Sequence, residues 1–89
     1  MIVKDEDDFT RLRNHLKKYR RKYPMFNKDV ERLQSTAESH ITAYSKYMVE
    51  YRNTKSRHYI EKAETEIYKI NELVKTVERI EILKHLSKQ

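Results

Sequence analysis

A run of basic side chains without a balancing acid is the feature of this sequence with the clearest chemical meaning. Between Phe9 and Lys28 there are eight lysines and arginines and no acid, whereas the whole 89-residue chain has a formal net charge of +6. The eight residues are Arg11, Arg13, Lys17, Lys18, Arg20, Arg21, Lys22 and Lys28. Clustered cations attract phosphate backbones and other polyanions. This segment is therefore a candidate surface for contact with nucleic acid or with an acidic protein.

A second basic group lies further along the chain, with tyrosines interleaved. The basic members are Lys46, Arg52, Lys55 and Arg57, and the tyrosines are Tyr47, Tyr51 and Tyr59. Tyrosine rings beside cations can stack on unpaired bases while the cations bind phosphate. Tyr51 and Tyr59 also fall on or near a predicted apolar stripe, so packing in the core is the alternative interpretation. We keep Arg52, Lys55 and Arg57 as candidate binding residues.

Catalytic and metal chemistry find little support in the composition. The absence of cysteine and glycine excludes disulfides, thiolate nucleophiles and glycine-rich phosphate loops. His58 with Glu61, and Glu81 with His85, have a helical spacing that places two ligands together, but the two pairs are too far apart to form one metal site. We therefore expect no catalytic residue, no metal, no other cofactor and no enzymatic activity.

The elements that carry these residues are predicted to be helices, because apolar residues recur at a period close to 3.5, as in coiled coils. The predicted helices cover about residues 6–23, 28–52 and 57–87. The first apolar stripe is Phe9, Leu12, Leu16, Tyr19 and Tyr23. This stripe places Arg13, Lys17, Arg20 and Arg21 on the opposite face, so the first helix is predicted to be amphipathic with a basic outer surface.

The predicted helix boundaries depend on a few residues. Asp5–Asp8 and Asn27 are candidate caps for the first and second helices, and Pro24 is expected to end the first. No apolar residue occurs between Tyr51 and Tyr59, so two positions of the stripe are missing. We expect a turn at residues 52–58, although one long bent helix fits the same pattern.

The predicted fold is all-α. Residues 1–89 are expected to form a single domain, an antiparallel three-helix bundle with one short and two long helices. The long helices are expected to extend about ten residues beyond the short one, which leaves apolar positions without a neighbour. Pairing with a second copy covers such positions, so the pattern also predicts a homodimer.

The segment YPMFNKDVERL, at Tyr23–Leu33, resembles a stretch near the start of phage late-gene transcriptional regulators of the RinA and ArpU type. The shared pattern is Tyr-Pro-x-x-x-Lys-x-apolar-acid-x-Leu. The part from Asn53 to Ile80 is similar to the long helix that precedes their DNA-reading part. The resemblance implies a phage or prophage setting and a role near nucleic acid. Those regulators continue into a helix-turn-helix that these 89 residues do not contain, so no functional residue is carried over.

These observations predict a small basic, non-enzymatic, phage-type regulatory protein that contacts nucleic acid through its first helix. The alternative is a protein–protein interaction module, or a small inhibitor that blocks a nucleic-acid-handling enzyme of host or phage. No run approaches the roughly 20 apolar residues that span a bilayer, and the acidic opening is unlike a targeting signal. We therefore expect no membrane contact and a location in the cytoplasm, that of a bacterial host if the protein is phage-encoded.

Overall fold

Helices form nearly all of the chain. The computed structural model describes residues 1–87, apart from the side chains of Lys84, His85 and Ser87. The described residues contain three α-helices: α1 (Phe9–Lys22), α2 (Asn27–Thr54) and α3 (Arg57–Ser87). Short 3-10 turns at Glu6–Asp8 and Pro24–Phe26 lead into α1 and α2. The predicted all-α class is confirmed. No helix in the described residues has a stretch that is long and apolar enough to span a membrane.

The connection between α1 and α2 confirms one boundary and corrects another. α1 ends at Lys22, and Tyr23 leaves helical geometry ahead of Pro24, as the sequence predicts. The prediction that Asn27 caps α2 is wrong, because Asn27 is already the first residue of that helix. Its N–H donates to the carbonyl of Pro24, so the 3-10 turn satisfies this amide without a capping side chain. The Asn27 side chain is used elsewhere, as an acceptor for Arg20.

The turn between α2 and α3 is confirmed, and it is shorter than the predicted 52–58. α2 ends at Thr54 and α3 begins at Arg57. Lys55 adopts the left-handed conformation, with φ 58° and ψ 17°, and its N–H donates to the Tyr51 carbonyl at 2.7 Å. The Thr54 hydroxyl accepts the Ser56 N–H at 3.2 Å. A lysine here makes the reversal that glycine makes most easily.

The three helices pack side by side in an elongated molecule of 54 × 18 × 17 Å. α2 and α3 form an antiparallel hairpin, and α1 packs on it. α1 is antiparallel to α2, because Phe9 at its beginning contacts Tyr44 and Arg20 near its end contacts Asn27. It follows that α1 covers the half of the hairpin distant from the turn at Lys55.

The core confirms the predicted apolar stripe of the first helix. All five residues of the first stripe are buried, four of them in α1 and Tyr23 just after it, and so are Val30, Ala37, Ile41 and Tyr44 of α2. The α3 contribution is Ala63, Ile70, Leu73, Val74, Val77 and Ile80. The stripe of α3 stops being covered at its end, where Leu83 and Leu86 are each 56% exposed. They follow Glu81, which contacts the last turn of α1, so they lie beyond the end of that helix.

The N-terminal segment also packs into the core, which the sequence pattern does not indicate. Val3 is 1% exposed. Its N–H donates to Oδ1 of Asn71 at 2.8 Å, and Nδ2 of Asn71 donates to its carbonyl at 2.8 Å. A single asparagine of α3 therefore satisfies both backbone groups of Val3, which holds residues 1–4 along α3.

Candidate functional site

The seven cations of α1 divide into groups according to the element that each one faces. They were expected to form one basic surface: Arg11, Arg13, Lys17, Lys18, Arg20, Arg21 and Lys22. In the structure, four of them pair with acids of the same chain, at Asp8, Glu31, Glu38 and Glu81. The uncompensated charge of α1 is therefore smaller than its composition suggests.

Two arginines connect α1 to α2. Nε of Arg13 donates to Oε1 of Glu38 at 2.7 Å, and Nη2 donates to Oε2 at 3.0 Å. This double hydrogen bond lowers the pKa of Glu38 below its ordinary value and raises the pKa of Arg13. Arg20 donates to Oδ1 of Asn27 at 2.6 Å and lies 3.7 Å from Glu31. The prediction that Arg13 and Arg20 point outward, opposite the apolar stripe, is wrong, because both lie at the α1–α2 boundary.

A second set of contacts connects the end of α1 to α3. Nζ of Lys22 lies 3.1 Å from Oε1 of Glu81, and the Tyr19 hydroxyl donates to Oε2 at 2.9 Å. Hydrogen bonds from Lys22 and the tyrosines lower the pKa of Glu81. Burial, together with the Glu81 contact, raises the pKa of Tyr19 well above its ordinary value. Lys22 therefore forms a contact between helices. Arg11, near the beginning of α1, pairs at 3.4 Å with Asp8, which lies three residues before it.

Three cations remain on the side of α1 that faces away from the hairpin. Lys17, Lys18 and Arg21 are exposed, and none of them pairs with an acid among the residues that the structure describes. We call these three residues the outer basic face. Lys17 and Arg21 are one helical turn apart, which places their Cβ atoms about 5–6 Å from each other. Two shallow grooves meet at these two residues, so this face is open to a ligand.

The predicted second basic cluster does not join the outer basic face. Arg20 contacts Asn27 at the beginning of α2, and Arg52 lies 25 residues further along the same helix. At about 1.5 Å per residue, this separation is roughly 37 Å. The two groups therefore lie at opposite ends of the hairpin.

Three cations of this second cluster, all except Lys46, are also engaged within the chain. Arg52 lies 4.0 Å from Glu6, and Arg57 lies 3.5 Å from Glu61. Nζ of Lys55 is 5.8 Å from the centre of the Tyr51 ring, and a similar contact joins Lys62 to Tyr47 at 5.6 Å. Lysines of the same chain therefore cover a face of each of these two rings, which leaves less aromatic surface for stacking on bases.

Two histidines, His15 and His40, lie at contacts within and between the helices. His15 packs on the Tyr19 ring at 4.9 Å between centroids, and its Nε2 is 3.9 Å from Glu78. Burial lowers the pKa of His15 below its ordinary value, and this effect outweighs the attraction of Glu78. His40 of α2 contacts Glu66 of α3, with 2.5 Å between Nδ1 and Oε2. Glu66 is only 8% exposed.

No arrangement of these groups resembles a metal centre in the described part of the chain. Groups of three or more histidine, aspartate or glutamate side chains with ligand geometry are not found there. Glu61, of the pair formed with His58, is occupied by Arg57. In the pair of Glu81 and His85, the His85 side chain lies outside the described part of the chain, and Glu81 is bound to Lys22 and Tyr19.

The functional residues that could not be identified from the sequence are the acids that neutralise the cations of α1, namely Glu31, Glu38 and Glu81. Arg13 and Arg20 are seven residues apart, and so are Glu31 and Glu38. Matching heptad spacings beside the stripes of two antiparallel helices are the signal that identifies these pairs. Comparisons with known protein-family models, with curated proteins and with solved structures returned no match for this chain.

Proposed function

We propose that this chain is a small, non-enzymatic regulatory protein that contacts nucleic acid through the outer basic face of α1. The observation that carries the proposal is the exposure of Lys17, Lys18 and Arg21 without an acid partner. The neighbouring cations are tied to α2 and α3. These ties hold α1 in one orientation, so the three free cations are presented on one face and the helix that carries them does not have to be ordered on binding.

Contact with phosphate follows from the chemistry of this face. Lysine and arginine neutralise phosphates and release condensed counterions, so the affinity falls as salt is added. Three neutralised phosphates on duplex DNA give a log–log salt slope of about −2.7. Counting all seven cations of α1 gives about −6 by the same rule. The proposed interaction is therefore weaker and less dependent on salt than the composition alone suggests.

The phage setting and the role in transcription belong to the same proposal. They are supported by the resemblance of Tyr23–Leu33 to the late-gene regulators of the RinA and ArpU type. This segment includes the short turn that joins α1 to α2, and Pro24 lines a groove together with Lys17 and Arg21. The segment that carries the resemblance therefore adjoins the outer basic face. In this setting the protein acts in the cytoplasm of a bacterial host.

A second candidate function is docking on an acidic protein surface, as an interaction module or as an inhibitor of a nucleic-acid-handling enzyme. It is favoured by the exposed apolar side chains at the end of α3, where Ile82 is 59% exposed and Leu86 is 56% exposed. Both line an open groove at the basic end of α1, together with Tyr19 and two acids, Glu78 and Glu81. The two acids are paired within the chain, with the N-terminal amine and with Lys22. Apolar and basic side chains in proximity suit a partner that is both apolar and acidic.

The test is fluorescence anisotropy with labelled duplex DNA at about 50 and 200 mM salt. The comparison is between the natural chain and a triple variant, Lys17→Glu, Lys18→Glu and Arg21→Glu. A matched control carries Lys46→Glu, Lys62→Glu and Arg79→Glu, which are exposed positions of α2 and α3. Each triple variant reverses three charges and so lowers the formal net charge from +6 to 0.

We expect the affinity of the natural chain to fall about 40-fold between the two salt concentrations, given three phosphate contacts. The outer-face variant should not bind, and the control should retain most of the affinity. An equal loss in both variants would mean that net charge alone drives binding, which contradicts a defined site. No binding of the natural chain at the lower salt would reject the nucleic-acid function and place the acidic-protein function first.

A further inference from the structure

Among the described residues, no third α-helix packs against the end of the hairpin near the turn at Lys55. α1 begins at Phe9, which contacts Tyr44, whereas α2 continues to Thr54. The uncovered length is therefore about ten residues, or roughly 15 Å of helix. A groove of about 210 Å³ lies here between α2 and α3. We call it the hairpin groove, and it is separate from the outer basic face.

The walls of the hairpin groove are apolar and incompletely covered. Met48 of α2 and Ile60 and Ile67 of α3 line it, and each is half-buried. These residues continue the stripes that face α1 in the other half of the bundle, where their counterparts are buried. The groove thus continues the surface that binds α1, and no α-helix of the described residues occupies it.

The rim of the hairpin groove carries one charge of each sign. Lys4 of the N-terminal segment and Glu64 of α3 both line it, and both are exposed. Neither has an ion-pair partner among the described residues. In a two-fold symmetric contact the same surface lies on both sides, so its charges must complement themselves. One unpaired lysine and one unpaired glutamate on the same surface meet this requirement, because each can face the other on the second copy.

We propose that the hairpin groove binds the hairpin groove of a second copy of this chain, in a two-fold symmetric homodimer. A two-fold axis that passes between the two charges sets Lys4 of each protomer against Glu64 of the partner subunit. The apolar walls then cover one another, and the two hairpin ends form a four-helix arrangement. A uniformly acidic partner would place like charges against Glu64, and a uniformly basic partner would place like charges against Lys4.

The proposed dimer is weak because the groove is short. Stable interfaces bury about 800 Å² on each partner, and a groove of two to three helical turns supplies less than that. We therefore expect association that depends on protein concentration in the micromolar to millimolar range. The inference goes beyond the proposed function, since the dimer does not require nucleic acid and the outer basic face is not part of the groove.

Sedimentation velocity over about 10 μM to 1 mM protein tests this inference. Lys4→Glu alone and Glu64→Lys alone should each weaken the dimer at least about tenfold, because like charges then face each other at two symmetric sites. The double variant, Lys4→Glu with Glu64→Lys, should restore it. Circular dichroism checks that each variant keeps its helices.

The control is Lys46→Glu, which makes the same charge change on the side of α2 away from the groove and should leave the dimer unaffected. A natural chain that stays monomeric at about 1 mM would overturn the proposal, as would a double variant that is no better than the single ones. The triple variant of the outer basic face should dimerise normally. The Lys4 and Glu64 variants therefore test the dimer, and the triple variant of the outer basic face tests nucleic-acid binding, so one proposal can fail without the other.

Discussion

Arg13 and Glu38 are joined by two hydrogen bonds, of 2.7 and 3.0 Å, which place the Arg13 guanidinium of α1 against the Glu38 carboxylate of α2. One heptad further along, Arg20 lies 3.7 Å from Glu31. The two pairs keep one antiparallel register, because an advance of seven residues in α1 matches a retreat of seven in α2. Residues that look like part of a phosphate-binding surface are therefore contacts that align the helices.

The first prediction separates these two roles of the α1 cations. Arg13→Gln should leave the affinity for duplex DNA nearly unchanged, because Arg13 already pairs with Glu38. Lys17→Gln should weaken DNA binding and reduce the magnitude of the salt slope by about 0.9, the value for one phosphate contact. Anisotropy titrations at several salt concentrations measure both variants. Equal losses in the two variants would show that the Arg13–Glu38 pair opens on binding.

The second prediction concerns the stability that the Arg13–Glu38 pair supplies. Both side chains are about half exposed, so the pair should contribute only about 0.5 kcal/mol. A double-mutant cycle with Arg13→Gln and Glu38→Gln, followed by urea unfolding, measures this coupling. We expect a small positive value that decreases at high salt. A coupling above about 2 kcal/mol would contradict the description of an exposed pair.

The third prediction concerns the turn between α2 and α3. Lys55→Gly should stabilise the fold by about 1 kcal/mol, because Lys55 has a positive φ that a side chain disfavours. Lys55→Ala is the control, since alanine removes the long side chain and keeps the Cβ atom. Urea unfolding of both variants checks the prediction. A gain of similar size for alanine would assign the effect to the lysine charge instead.

The fourth prediction is a pH dependence that arises from His15. In the folded chain the pKa of His15 lies below its ordinary value of 6.5. Burial is the main cause, and the negative charge of Glu78 opposes the shift. The unfolded chain therefore takes up the proton at a higher pH than the folded chain. The free energy of unfolding should be at its full value above about pH 6.5, and it should decrease as the pH falls from 6.5 toward the lowered pKa of His15. Glu38 and Glu81 also have lowered pKa values, but they act below about pH 4.5.

Unfolding free energies between about pH 8 and 5 test the His15 prediction against His15→Leu. The variant should lose less stability than the natural chain across this range. His58→Leu is the control, because His58 is exposed. Identical pH profiles for the natural chain and His15→Leu would exclude His15 as the source of the dependence.

The fifth prediction concerns Asn71, which satisfies both backbone groups of Val3. Asn71→Ala should lower the free energy of unfolding by about 2 kcal/mol, because the partly buried N–H and carbonyl of Val3 lose their hydrogen-bond partners. Hydrogen exchange should then increase for the amides of residues 2–4 more than for those of α2. Lys75→Ala, an exposed change one turn further along α3, should have little effect on either measurement.

The sequence by itself determined where the helices lie and which of their faces are buried. The period of Phe9, Leu12 and Leu16 needs only local helix geometry to place these residues on one face. Pro24 likewise ends α1 through a steric effect on its immediate neighbour. The turn near Lys55 was also evident from the gap in the stripe. The hydrogen-bonded closure of that turn by Lys55 was not evident, because residues other than glycine seldom take a positive φ.

Only the tertiary structure decided which cations of α1 are free. Arg13 is neutralised by Glu38 and Lys22 by Glu81, and these partners are far away in the sequence. Whether such groups meet depends on the rotation and register of three helices, which the packing of the whole core sets. The burial of Val3 has the same origin, because a short apolar segment has no period of its own and its partner Asn71 lies 68 residues further along the chain.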